Sequence, residues 1–329
     1  MSAALLVRAL RDPASVEALR AAQWNALLAA AKAERLIATL AVRLEERAVP
    51  PAARAVLDDA RADAEREAQQ ALWEADRAAF ALRGTGVPPV LLKGAAYAAA
   101  GLEAAQGRFI GDLDILVPRA AMDQVERALL AAGWEWVKED AYDDAYYRQW
   151  MHELPPLIHA ERDRMIDVHH NILPLTARPR PDPQAMLADA VAAGEGLYVL
   201  SPEDRVIHAA AHMLADGDLQ GGLRNLWDIH CLLRECDPAD LDRRAERHGL
   251  ARDVRQARRL AGAIYGAGTR LTLRDRLFIA RLLARDGWGR ETRKPLVFAF
   301  YLRSHLLRMP LPMLARHLFT KWRKGHRPQ

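Results

Sequence analysis

Residues 91–117 read "LLKGAAYAAAGLEAAQGRFIGDLDILV", and the fold turns on the last seven of them. Leu113, Ile115, Leu116 and Val117 describe a buried strand, yet Asp112 and Asp114 are set among them. In a strand, residues i and i+2 share a face, about 6.6 Å apart. The two carboxylates would therefore project together while Leu113 and Ile115 face the other way. A carboxylate so placed has to be paired, protonated or bound to a cation, and two of them repel unless positive charge lies between. Upstream, the apolar strand "VPPVLLKG" ends in Lys93-Gly94 and gives way to a helix, "AAYAAAGLEAA". Such a turn brings backbone N–H groups close to a phosphate. Lys93 adds a mobile charge beside it, and Arg108, four residues before the first acid, is within reach of a triphosphate.

Further out, Asp167 in "MIDVHH" has the same setting of an acid between apolar strand residues. Three carboxylates from adjacent strands would hold two cations for an in-line displacement at phosphorus. Mg²⁺, or Mn²⁺ in its place, suits oxygen ligands shared with substrate phosphates. Strand alternation puts His169 on the face of Asp167, as a substrate or metal contact or as a hydrogen-bonded structural histidine, whereas His170 points away. An Asp-x-Asp alone is common, and most examples are caps, turns or solvated pairs. The order strand, Lys-Gly, helix, Asp-x-Asp, later strand acid is what points to a catalytic site.

In that order the chain resembles the nucleotidyltransferase superfamily related to DNA polymerase beta. More closely, it resembles the bacterial family of uncharacterised nucleotidyltransferases, whose members carry an "LLKG" strand, an arginine shortly before "DLDILV" and a later "IDVHH"-like strand. The resemblance covers residues 88–175, and 201–235 more weakly through "HAAAH" and "LRNLWDIHCLL". It implies metal-assisted attack by an acceptor hydroxyl on the α-phosphorus of an NTP, with ATP the first candidate, expelling pyrophosphate. Asp112 and Asp114 then match the metal-binding pair. Asp167 matches the third carboxylate, serving the acceptor-side ion and placed to take the acceptor's proton. Lys93, Gly94 and Arg108 match the nucleotide-facing residues. The acceptor, whether protein, peptide, small molecule or RNA end, is left open. The sequence departs from the pattern in two places: the turn is Gly94-Ala95, without the usual hydroxyl, and the interval from Gly94 to Asp112 is longer. A degenerate nucleotide-binding protein, or a peptide-binding accessory protein, is the alternative reading.

Around this core the 329 residues read as mostly helix. The hydrophobic share of 51% rests on alanine, with aromatics at 6%, a helix-favouring balance. The expected fold class is α+β, a small mixed sheet flanked by helical regions at both ends. The expected division is 1–84 helical, 85–180 catalytic core, 190–290 helical and 291–329 a basic amphipathic tail. Residues 15–46 read as one helix, with Asp12 as its cap and Pro13 in its first turn. Pro50-Pro51 and Gly84 bracket a second, polar on one side. "WEWVKED", "MHELPPLIHAE" and "RMIDVHHNIL" read as strands, and "YDDAYYRQW" as an aromatic cleft wall or core. "PLTARPRPDPQ" is a loop, and Ser201-Pro202 starts a helix.

His208 and His212 share a helix face, a zinc-compatible spacing that lacks the glutamate of a metalloprotease; packing, or a bond to Asp228, is the favoured reading. Arg224, Trp227 and Asp228 read as a buried polar network. Cys231 and Cys236 lack any zinc or disulfide spacing and read as small buried hydrophobes. No apolar run approaches the roughly 20 residues of a membrane span, and no secretory leader is visible, so the expected location is the cytoplasm. Net charge is +4, and Glu291–Gln329 alone holds six arginines and three lysines against one acid. This tail is read as irregular and as a docking segment ahead of an interfacial helix or a nucleic-acid contact; nucleic acid is possible but not favoured.

Overall fold

The computed structural model describes residues 2–138 and 147–308. Seven short strands form one mixed sheet: β1 (Val90–Leu91), β2 (Leu113–Leu116), β3 (Trp134–Trp136), β4 (Leu157–His159), β5 (Met165–His169), β6 (Val191–Ala192) and β7 (Tyr198–Val199). Their order is β3-β4-β5-β2-β1-β7-β6. β2 lies at the centre with all four residues buried, parallel to β5 and antiparallel to β1. This is the expected α+β class. The expected strands at 87–94 and 111–117 shrink to β1 and β2, because Pro88 and Pro89 cannot donate to a ladder and Lys93 already opens a helix. The sheet takes its last two strands from residues 191–199, a stretch that the sequence reading gave to the C-terminal helices. Two-residue strands leave no periodicity to read.

The N-terminal helices are α1 (Ser2–Arg11), α2 (Ala21–Ala33), α3 (Ile37–Arg43) and α4 (Pro51–Leu82). The single helix expected over 15–46 is thus broken. Pro13 heads only a short 3₁₀ turn, and the Asp12 side chain caps nothing. Arg35, with φ of 54°, ends the α2 segment. Glu34 beside it is buried, accepting the Leu223 N–H at 3.1 Å and pairing with Arg285 at 2.5 Å. A continuous helix would forfeit those bonds and bury an unpaired carboxylate. α4 keeps close to its expected limits and buries a stripe of small residues, Ala53, Leu57, Ala60, Ala64, Ala71, Ala75, Ala78 and Leu82, against α3 and the sheet.

Between strands come α5 (Lys93–Ala99), α6 (Met122–Ala131) and α7 (Pro183–Ala188). α8 (Pro202–Ala210) starts as expected, with Ser201 Oγ accepting the Asp204 N–H at 3.3 Å, and runs into a π-helical turn, Ala211–Asp216. α9 (Gly222–Leu232), α10 (Pro238–Arg247), α11 (Ala251–Ile264), α12 (Leu273–Leu282) and α13 (Lys294–Arg308) follow. The first part of the basic tail is therefore helical rather than irregular. It packs on α12 and the π turn: Phe300 meets Phe278 edge-on at 4.9 Å, and Arg303 donates to Gly217 O at 3.3 Å and to Leu214 O. The rest of that tail and most of the "YDDAYYRQW" stretch lie outside the described residues. No described helix is long and apolar enough to cross a membrane.

Candidate functional site

Parallel pairing of β2 with β5 sets Asp114 directly beside Asp167, and Leu116 beside His169. Paired residues on neighbouring strands share a face, so two carboxylates are forced together in the middle of the sheet. Asp114 is 6% exposed. Lys93, at the start of α5 with φ of 49°, donates from Nζ to Asp114 Oδ1 at 2.5 Å. His169 Nε2 lies 2.9 Å from the same oxygen, and its Nδ1 lies 3.2 Å from Glu153 Oε2. Asp167 has no such help, for its Oδ1 is buried without a hydrogen-bond partner.

The electrostatics follow from that asymmetry. Burial alone would push the Asp114 carboxyl up, but Lys93 and His169 outweigh it and hold the group far below the carboxylate range. Burial, then Asp114, then Glu153 push the Asp167 carboxyl up to about 7. Burial opposes the charge on Lys93, yet Asp114, with help from Asp167 and Glu153, keeps its ammonium above the ordinary range. One acid is fully charged and paired; its neighbour is poised to take either a proton or a cation.

Beside Asp114 opens a cavity of about 520 Å³ lined by Lys93, Gly94, Arg108, Asp112, Asp114, Arg35, His212 and residues at the start of α9, with Asp167 behind Asp114 and not on its wall. That size suits a nucleotide-sized ligand. A groove of about 590 Å³ between the end of α4 and the β6–β7 turn holds none of these groups.

The sequence-predicted residues sort as follows. Asp114, Asp167 and His169 converge, with ligand atoms all within 4.8 Å of one another. Asp112 is not in that cluster: β2 begins one residue later, and Asp112 is exposed on the wall of the cavity that Asp114 also lines. Gly94 is a packing necessity as much as a phosphate turn. A Cβ there would come within 2.9 Å of Arg108 Nε and 3.1 Å of Ile110 Cγ1. Ala95, the turn position noted above for lacking a hydroxyl, is fully buried and is not on the cavity wall.

Arg108 lines the cavity but is anchored from behind: it pairs with Asp228 and lies 5.5 Å over the Tyr97 ring. Asp228 Oδ1 in turn takes Arg224 at 2.7 Å, and Arg224 Nη1 reaches Thr39 Oγ1 at 2.6 Å. The network expected from Arg224 and Asp228 is present, without Trp227, whose Nε1 is unpartnered and whose ring meets Tyr265 edge-on at 5.0 Å. His208 is not bonded to Asp228, whose oxygens are taken by the two arginines; burial keeps its imidazole neutral. Arg35, His152 and Glu153 escaped the sequence reading: Arg35 sits at a helix break without a local signal, and "MHELPPLIHAE" reads as a strand without its His152-Glu153 pair being singled out, the strand itself starting only at Leu157.

Residues 20–266 match the family described as "Uncharacterised nucleotidyltransferase", a span that takes in the whole sheet and α2 to α11. The chain belongs to that family. A search of curated proteins found no match. As a nucleotidyltransferase, the enzyme implies a divalent cation at its site, and the residues fit one. The partnerless Oδ1 of Asp167 beside the Asp114 carboxylate is the kind of buried oxygen that a hard cation satisfies. In this nucleotidyltransferase the positive groups Lys93, Arg108 and Arg35 line the same cavity as Asp112 and Asp114.

Proposed function

We propose that the enzyme transfers a nucleoside monophosphate from an NTP, ATP first among them, to an acceptor hydroxyl, using Mg²⁺ or Mn²⁺. The observation that carries this is the register pairing of Asp114 with Asp167 on neighbouring central strands, next to a cavity walled by Lys93 and Arg108. Asp114 and Asp167 would hold the cation, with Asp112 at the cavity mouth as the third carboxylate. A bound divalent ion supplies charge neutralisation of the triphosphate and lowers the pKa of the acceptor hydroxyl. Lys93 and Arg108 bind the phosphate oxygens, and Arg35 closes the same wall from the α2–α3 break. Asp228 and Arg224 hold Arg108 in place, so the guanidinium is preorganised before the nucleotide arrives. His169, donating to Asp114, fixes the direction of that carboxylate. The absence of a hydroxyl at Ala95 is consistent with phosphate binding by these cations instead.

The test is incubation with α-labelled ATP, CTP, GTP and UTP with Mg²⁺ or Mn²⁺, alone and with cell extract. An active enzyme releases pyrophosphate and labels an acceptor, and Asp114→Asn abolishes both. Nucleotide-dependent thermal stabilisation with no release under any of these conditions would instead support the degenerate binder.

A further inference from the structure

We propose that His152, Glu153 and His169 form a second cation site, taking a borderline transition ion such as Zn²⁺ through two imidazole nitrogens and one carboxylate oxygen. Their ligand atoms all lie within 4.8 Å of one another. Glu153 Oε2 is 3.2 Å from His169 Nδ1 and 3.9 Å from His152 Nε2. Metal–ligand bonds of about 2.0–2.2 Å at tetrahedral angles put neighbouring ligand atoms about 3.4 Å apart, a value between those two spacings.

The surroundings support ligation. A metal-bound histidine as a rule donates its other ring N–H to a carboxylate, which fixes the tautomer. His169 has the geometry for it: Nε2 faces Asp114 at 2.9 Å, and Nδ1 faces Glu153 at 3.2 Å. The His152 ring lies 5.2 Å from the His169 ring, with Nε2 its nitrogen toward Glu153. Burial disfavours the charged form of this imidazole, so it stands as a neutral ligand beside its neighbour. The backbone is fixed on both sides: Glu153 bridges to His169, and His170 N–H donates to His152 O at 2.8 Å.

Ligand chemistry separates this site from the carboxylate pair. Asp114 and Asp167 offer oxygen to a hard cation, whereas two nitrogens and one oxygen select a softer one. His169 is the common wall, Nε2 toward one site and Nδ1 toward the other. An ion on Nδ1 would lock the ring and through it the Asp114 carboxylate. The inference does not depend on nucleotidyl transfer.

It is tested on the full, metal-stripped chain by calorimetric titration with Zn²⁺ alone, and with Co²⁺ followed by visible absorption. One tight ion per chain is expected, with Co²⁺ bands of nitrogen–oxygen ligation. His152→Ala and the near-isosteric Glu153→Gln each weaken Zn²⁺ binding by more than the roughly 10–100-fold that losing an outer hydrogen bond costs. Asp114→Asn falls within that range, and Asp167→Asn leaves Zn²⁺ affinity unchanged. Equal binding by wild type and both ligand variants overturns the proposal. So does loss of the ion in Asp167→Asn with retention in His152→Ala, which would put it at the carboxylate pair. Circular dichroism of Glu153→Gln keeps the result readable where His152→Ala fails to fold.

Discussion

Lys93 is bonded to Asp114 Oδ1, and a cation held by Asp114 competes with that ammonium for the carboxylate. Replacing Lys93 with methionine, which keeps the aliphatic stem and removes the charge, should therefore strengthen metal binding to the nucleotide-free chain. The ammonium donates at 2.5 Å to a carboxylate that is almost wholly buried, while the lysine side chain is 28% exposed. A hydrogen bond between charged partners in such a place contributes about 1.5–3 kcal/mol, which corresponds to roughly 10–150-fold in affinity. Lys93→Met should accordingly bind Mn²⁺ at least about 10-fold more tightly by calorimetry without nucleotide. ATP should bind it less tightly, because the phosphate wall has lost a cation. In wild type, the triphosphate draws the ammonium off Asp114, so nucleotide and metal raise one another's affinity by the same factor; in the variant that coupling shrinks. Mn²⁺ affinity that is unchanged or weaker in Lys93→Met would refute the exchange.

Other outcomes follow from the same geometry. Asp167 titrates near 7 in the fold and near 4 when unfolded, so the metal-free protein holds a proton that unfolding releases between those values. Its stability then falls as pH rises through about 4 to 7. Thermal melts should show Asp167→Asn more stable than wild type at pH 8, with the difference gone by pH 4. Asp112 is exposed on the cavity wall, so Asp112→Asn should abolish transfer of α-label while leaving the melting temperature within a degree or two of wild type; unimpaired turnover would remove Asp112 from the site. Asp228→Ala strands Arg224 and Arg108 together without their shared partner. Breaking a buried pair in this way costs about 3–5 kcal/mol, read by urea denaturation, and any folded fraction should show a raised KM for ATP. Arg35→Met should raise KM for ATP with little change in stability.

The sequence spoke clearly wherever chemistry and local pattern coincided. Asp114, Asp167 and His169 each alternate with apolar residues, so their shared face could be read before the strands were placed. Ser201-Pro202 and Pro51 carry standard helix-start chemistry, and both helices begin there. Asp112 lies one residue outside β2, although it lines the same cavity as Asp114; strand ends are what periodicity fixes least well. The break at Glu34-Arg35 has no local signal at all. It exists because Glu34 finds Leu223 and Arg285 some two hundred residues away, a tertiary bond that overrides helix propensity. Strands β6 and β7 were invisible for a related reason: each is two residues long, β7 being held by the edge offered by β1 and β6 by β7.

The central claim is that Asp114 and Asp167 jointly hold the ion on which an NTP is turned over. Crystals of the enzyme with Mn²⁺ and a non-hydrolysable α,β-linked ATP analogue give an anomalous difference map that bears on it directly. The account predicts a Mn²⁺ peak within about 2.0–2.3 Å of a carboxylate oxygen from each aspartate, with the Lys93 ammonium moved onto the phosphates. A nucleotide bound elsewhere, or a site in which Lys93 still sits on Asp114 and no ion touches Asp167, would contradict it.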